Sequence, residues 1–211
     1  MTVIRLRANY SDEELQSLYS PLYKPEFFQD HLLRLATTSN LLSWVIDRHN
    51  LSSLADLACG NGSVVFEALE NCAHNPQTIY LGDLSKENIN YVNGLALDPT
   101  IKFNIQQGKI ENTINSIEKV DLFVMTEILE HVSEPKKLLK AVREKTKMLL
   151  LSTPCGEPMD QECFNREHLW SWSRNDILKM LLQAGFEPKV EEIINFKEKG
   201  FPYDFQIWLL Y

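Results

Sequence analysis

Residues 54–62, Leu-Ala-Asp-Leu-Ala-Cys-Gly-Asn-Gly, constrain this chain more than any other stretch. A short apolar run reaches an acid, Asp56, and then breaks into a turn carrying Gly60 and Gly62. The segment that follows, Ser63 to Glu70, reads as a helix. Strand, glycine turn and helix in that order make a cradle for a nucleotide-type cofactor. Glycine lets the backbone approach the ligand, and the helix N-terminus offers free N–H groups. The acid narrows the choice: a carboxylate repels phosphate and attracts an ammonium. Asp56 therefore points away from a pyrophosphate ligand and towards a cofactor that carries positive charge.

A second acid lies one βαβ step further on. Thr78–Leu81 reads as a strand that ends at Gly82-Asp83-Leu84-Ser85. Asp83 falls 21 residues after Gly62, the spacing at which an acid closing a second strand meets ribose hydroxyls. Together, Asp56-x-x-x-Gly60-x-Gly62 and Gly82-Asp83 resemble the class I S-adenosylmethionine (SAM)-dependent methyltransferases, over about residues 40–211. The resemblance implies that the region of Asp56, Ala58, Gly60 and Gly62 receives the amino-acid end of SAM. It also implies that Asp83, with Leu84 beside it, takes the ribose. Ala58 stands where many members have the first glycine of the turn.

From residue 54 onwards strands and helices alternate. Strands are expected at Leu54–Leu57, Thr78–Leu81, Ile101–Gln106, Val120–Met125 and Met148–Ser152, with helices starting near Ser63, Ser85, Ile110 and Pro135. Such alternation argues for an α/β fold, a parallel sheet with helices on both faces. Ser173-Arg-Asn-Asp176 caps an amphipathic helix ending at Gly185, and Pro188–Asn195 and Tyr203–Tyr211 read as two further strands. The resemblance completes this as a Rossmann-like, doubly wound, seven-stranded sheet with an antiparallel last strand. Residues 1–50 are expected to form an N-terminal helical cap, and residues 51–211 the methyltransferase domain. In the cap, Ser11-Asp-Glu-Glu14 opens a short helix and Phe27 to His49 a longer one. Its aromatics (Tyr10, Tyr19, Tyr23, Phe27, Phe28), with His31, either shape a substrate pocket, as in related enzymes, or fill a cap over the sheet.

Composition excludes several classes. The chain has 211 residues, enough for one α/β domain with a sizeable core. No apolar run approaches the ~20 residues of a membrane helix, and the N-terminus lacks a signal-peptide core, so a soluble, cytoplasmic protein is expected. Four cysteines without CxxC spacing read as free thiols. The net charge of −8 argues against a long polyanion as ligand. Lysines 136, 137, 140, 145 and 147 are interrupted by Glu144, follow Glu134, and read as a solvated helix face.

The third strand runs into Gln107-Gly108-Lys109-Ile110, where many members have Gly-Asp, the acid accepting from the adenine amino group. Lys109 has only donors, so the backbone around Ile110, or Gln107, is expected to take that role. The fourth strand ends at Thr126-Glu127-Ile-Leu-Glu130-His131, on the ligand-facing edge of an open parallel sheet. If a helical turn starts there, Glu127, Glu130 and His131 share one face and can hold a divalent cation. The segment resembles the ubiquinone-pathway O-methyltransferases and the enzymes that methylate the 2′-hydroxyl at the 3′ end of small RNAs. In both, Glu-x-x-Glu-His supplies metal ligands. In the RNA group a later histidine completes the site, a place that His168 of Asn165-Arg-Glu-His168 matches. The same motif also occurs in members without a metal, where Glu130 and His131 make structural contacts.

Three readings follow. The first is a SAM-dependent methyltransferase acting on an oxygen or nitrogen of a small molecule, with His131 or His168 as general base and Glu127 next. Residues 154–172 (Pro154, Phe164, Trp170, Trp172) would select the substrate. The second is an RNA 3′-terminal 2′-O-methyltransferase using Mg²⁺ or Mn²⁺. The third is a non-catalytic SAM-fold binding protein, against which the intact Asp56, Gly60, Gly62 and Asp83 argue.

Overall fold

The computed structural model describes residues 4–5, 10–11, 13–15, 29–157 and 168–211. The elements are β1 (Ile4–Arg5), α1 (Gln29–His49), β2 (Ser53–Asp56), α2 (Ser63–Asn71), β3 (Thr78–Asp83), α3 (Lys86–Leu95) and β4 (Lys102–Gln107). They continue with α4 (Ile110–Thr113), β5 (Val120–Thr126), α5 (Pro135–Lys145), β6 (Thr146–Cys155), β7 (Trp170–Ser171), α6 (Arg174–Gln183), β8 (Pro188–Ile194) and β9 (Asp204–Leu210). Seven strands form one sheet in the order β4-β3-β2-β5-β6-β9-β8, and β1 pairs with β7 apart from it. The order reverses on either side of β2, as in a doubly wound sheet, and β9 runs antiparallel to β6 and β8. The expected fold class is present. Among the described residues, no helix is long and apolar enough to cross a membrane.

The chain divides into two compact units, Asp12–Val124 and Met1–Ser11 with Met125–Tyr211. In the first, β2 pairs in parallel with β3 (Ala55↔Tyr80) and with β5 (Ala55↔Phe123), and β3 pairs with β4 (Leu81↔Ile105). The apolar run of β5 is buried at Leu122, Phe123 and Val124, as a strand covered on both faces requires. At the sheet edge, β4 alternates polar and apolar residues and exposes both of its ends. The α1 helix rests on α2, with Ser39 Oγ donating to Glu67 Oε2 at 3.2 Å and Leu42, Val45 and Ile46 fully buried.

In the second unit, β6 and β9 pair from Leu149↔Leu210 to Cys155↔Asp204. Phe205, Ile207, Trp208, Leu209 and Leu210 of β9 are all buried, so this aromatic strand forms the unit's core. Gln206 is buried among them and satisfied: its Oε1 accepts from Trp208 Nε1 at 3.1 Å. The α6 helix opens on the expected cap. Ser173 accepts from Asp176 N, and the Asp176 carboxylate accepts from Ser173 N at 3.0 Å. Gly185 beyond its end takes φ +88, a left-handed stop.

Differences from the expected boundaries have local causes. α5 passes into β6 without a turn residue, because Arg143 Nη1 donates to the carbonyls of Thr146 and Lys147, so the strand begins two residues before Met148. Part of the 154–172 loop is strand: Pro154 and Cys155 lie in β6, Trp170 and Ser171 in β7. Of the opening stretch, residues 13–15 are helical, while Tyr19, Tyr23, Phe27 and Phe28 lie outside the described residues, as do Cys163 and Phe164.

Candidate active site

The glycine turn is built by main-chain bonds. Cys59 N donates to Gly82 O at 2.9 Å, which ties the loop after β2 to the end of β3. Gly62 N then donates to Cys59 O at 2.8 Å and closes the turn. Gly60 and Gly62 take φ +56 and +80, the left-handed region that glycine enters without strain. Gly62 is also the N-cap of α2, and a Cβ there would stand 2.7 Å from the Phe66 ring. Among the described residues, nothing lies within 4 Å of where a Cβ at Gly60 would stand, so they leave that face of the loop open.

Two acids meet this turn. Asp56, 1% exposed at the end of β2, accepts from Ala58 N at 3.2 Å. Burial pushes its pKa up to about 7; the Ala58 N–H opposes the rise and the charge of Asp83 adds to it. Asp83 accepts from Gly60 N at 2.9 Å on Oδ2, and on Oδ1 from Ser85 N at 2.8 Å and Asn88 Nδ2 at 3.1 Å. A carboxylate has about four lone-pair sites. Donors among the described residues take three, so Asp83 can accept one more hydrogen bond. Its pKa is raised by burial against these three donors.

The structure thus joins Asp56, Ala58, Gly60, Gly62 and Asp83 in one bonded loop, with Leu84 half-buried after Asp83. Lys109 is the N-cap of the single turn α4, and Ile110 is buried. Gln107 Nε2 donates to Leu84 O at 3.1 Å, which leaves the amide oxygen as an acceptor near this edge. Two contributors were not read from the sequence. Asn61 Oδ1, just before the Gly62 N-cap, accepts from Ser63 N at 3.1 Å and from Ser63 Oγ at 2.6 Å, and Asn88 braces Asp83. The Asn-Gly-Ser order is the only sequence signal for the first.

The second unit carries the Glu-His segment. Residues 127–131 do not form an α-helical turn. Glu127 takes φ +53, its N–H donates to Ser152 O at 3.0 Å, and His131 N donates to Ile128 O at 3.0 Å. The expected shared helical face is therefore replaced by a turn. The turn still brings Glu130 and His131 beside His168: one possible ligand atom from each lies within 4.8 Å of the others. Glu127 is outside that group of three, although its charge acts on both Glu130 and His168.

Glu130 is 1% exposed. Its Oε2 accepts from Thr153 Oγ1 at 3.0 Å, while Oε1 is buried with no hydrogen-bond partner among the described residues. Burial pushes its pKa up to about 7; the neighbouring His168 opposes this, and Glu127 and Glu157 add to it. The His131 and His168 rings meet edge to face at 4.8 Å. His168 Nδ1 lies 2.8 Å from Glu157 Oε2. Burial works against the charged imidazole, but the Glu157 bond and the charges of Glu130, Glu157 and Glu127 outweigh it and raise the His168 pKa. Glu157 was not read from the sequence. Trp172 is buried, its Nε1 shared between Thr153 Oγ1 (3.2 Å) and Pro154 O (3.1 Å), so it braces Glu130's partner instead of lining an open pocket. Trp170 Nε1 donates to Val132 O at 2.7 Å.

Comparison with known proteins assigns the family. A family model described as a methyltransferase domain matches residues 23–191, so this chain belongs to that methyltransferase family. Among solved structures, it resembles the [4+2]-cyclase SpnF with TM-score 0.71 at 12% identity, covering 98% of this chain and 97% of that one. It also resembles magnesium protoporphyrin IX methyltransferase (ChlM) from Synechocystis PCC 6803, solved with bound S-adenosylhomocysteine (SAH). There the TM-score is 0.67 at 15% identity, over 92% of this chain and 90% of that one. The small RNA methyltransferase HEN1 aligns with TM-score 0.64 at 19% identity, over 82% of this chain but 25% of that one. At these identities the likeness is one of fold. No curated protein sequence matches the chain.

Proposed function

We propose that this chain transfers a methyl group from SAM to an oxygen or nitrogen of a small molecule. The observation that carries the reading is the Asp56–Gly60–Asp83 loop: a buried and a half-buried carboxylate on a glycine turn whose Gly60 face is open among the described residues. Asp83 has a lone pair left for a sugar hydroxyl, and a positively charged ligand would hold Asp56 in its ionised form. When bound, SAM supplies a methyl group already activated on a sulfonium. Removing the acceptor's proton falls to His131 or His168, with Glu127 next, because an imidazole titrates near neutral pH.

A second reading, a metal-dependent 2′-O-methyltransferase of RNA 3′ ends, is favoured by the Glu130–His131–His168 group. The buried Glu130 Oε1, which has no hydrogen-bond partner among the described residues, is suited to a cation. One carboxylate and two imidazoles fit Mn²⁺ better than the oxygen-seeking Mg²⁺. A bound ion would lower the pKa of the acceptor hydroxyl. The net charge of −8 weighs against RNA.

Methyl-labelled SAM offered with phenol, alcohol and amine acceptors and with an RNA 3′ end separates the readings. Label on a small acceptor with a chelator present supports the first. Label on the terminal ribose only with added Mn²⁺ supports the second. Label on neither, across a broad acceptor set, contradicts both.

A further inference from the structure

We infer that Glu157 is a positioning residue that fixes the tautomer of His168, so that Nδ1 carries the proton and Nε2 is the nitrogen offered to the site. This rests on the reading of Glu130, His131 and His168 as working groups. Glu157 follows the end of β6, and its Oε2 lies 2.8 Å from His168 Nδ1, with both side chains only 7% exposed. An ionised carboxylate only accepts hydrogen bonds, so the neutral imidazole must place its proton on Nδ1 and its lone pair on Nε2. Water has little access to substitute for either partner.

The backbone on both sides of the pair is held. Ser171 Oγ donates to Glu157 O at 3.1 Å, Gly156 N donates to Trp172 O at 2.8 Å, and Leu169 N donates to Glu130 O at 2.8 Å. The first two bonds lock residues 156–157 to 171–172 and the third ties Leu169 to Glu130, so the carboxylate and the ring meet by construction. The role is the same whether His168 takes a proton or binds a cation: either task needs the ring held in one tautomer and one direction. Glu157 is thus a residue through which His168 acts.

Nitrogen-15 NMR of the histidine rings, at an alkaline pH where imidazole is neutral, reads the tautomer directly. The wild type is expected to carry the His168 proton on Nδ1. In Glu157→Ala it moves to Nε2, the form that free imidazole side chains favour. Mn²⁺ binding followed by electron paramagnetic resonance is expected to weaken ~10–100-fold in Glu157→Ala. Calorimetric SAH affinity stays unchanged in the same protein, which also shows that it folds. Should the alanine variant not fold, Glu157→Gln keeps the shape and removes the charge, and its Mn²⁺ affinity falls short of the wild type. A wild type with the proton on Nε2, or a folded Glu157→Ala with unaltered tautomer and Mn²⁺ affinity, overturns the inference. A wild type with the Nδ1 proton and no Mn²⁺ affinity supports the role of Glu157 and contradicts the metal reading alone.

Discussion

Asp56 links folding and ligand binding through one proton. Its carboxyl is ordinarily half-ionised near pH 3.8 and in the fold near pH 7. Between those values the folded protein holds a proton that the unfolded chain releases, so stability falls as pH rises through this window. A difference of that size is worth about 4 kcal/mol at most. Asp56→Asn keeps an acceptor for Ala58 N–H and removes the buried charge. It is expected to raise the melting temperature at pH 8 more than at pH 5, and to abolish binding of a cationic donor. The same proton makes wild-type SAM affinity fall as pH drops below about 7, a trend that calorimetry across pH 6–8 would follow. Gly62 is the other residue whose substitution is decisive. At φ +80, a side chain costs about 1–2 kcal/mol before its 2.7 Å approach to Phe66 is counted. Gly62→Ala therefore lowers the midpoint of denaturant unfolding and weakens SAH together. Both residues were legible, because a turn glycine and an acid sit within one short run. Glu157 was not: nothing periodic links it to His168, and only the docking of 168–172 against the end of β6 brings them together.

Elements followed their local chemistry wherever that chemistry was complete. The α6 helix was readable because Ser173 and Asp176 carry a reciprocal cap, and Ser173→Ala should cost about 1 kcal/mol in denaturant unfolding. The β9 strand was readable because its apolar and aromatic run has the length of a buried strand. The helical turn on which the shared face of Glu127, Glu130 and His131 was conditional does not form. The i, i+3, i+4 spacing is real, but Glu127 at φ +53 is held by the Ser152 carbonyl, a tertiary bond that no local pattern contains. Glu130 and His131 stand beside His168 all the same. The early start of β6 escaped notice for a similar reason: Arg143 ends α5 with its own guanidinium, and no Gly or Pro marks the boundary.

For the whole molecule, the order of strands and helices fixed the sheet, since short βα connections and one antiparallel return leave few arrangements. Charge is the molecule-scale property that bears on the acceptor. Lys136, Lys137 and Lys140 are exposed on α5, and Lys137 pairs with Glu134 at 3.3 Å. A solvated face of this kind supplies no phosphate track, so RNA affinity is expected to be weak at physiological salt, as a filter-binding titration would show. The claim on which the account turns is that SAM docks on the loop of Asp56, Gly60 and Asp83. Isothermal titration of SAM and SAH into the wild type and Asp83→Ala tests it most directly. Saturable binding near one per chain, weakened at least about tenfold by the substitution (about 1.4 kcal/mol), is predicted. No heat with either ligand, or equal affinity in the two proteins, would contradict it.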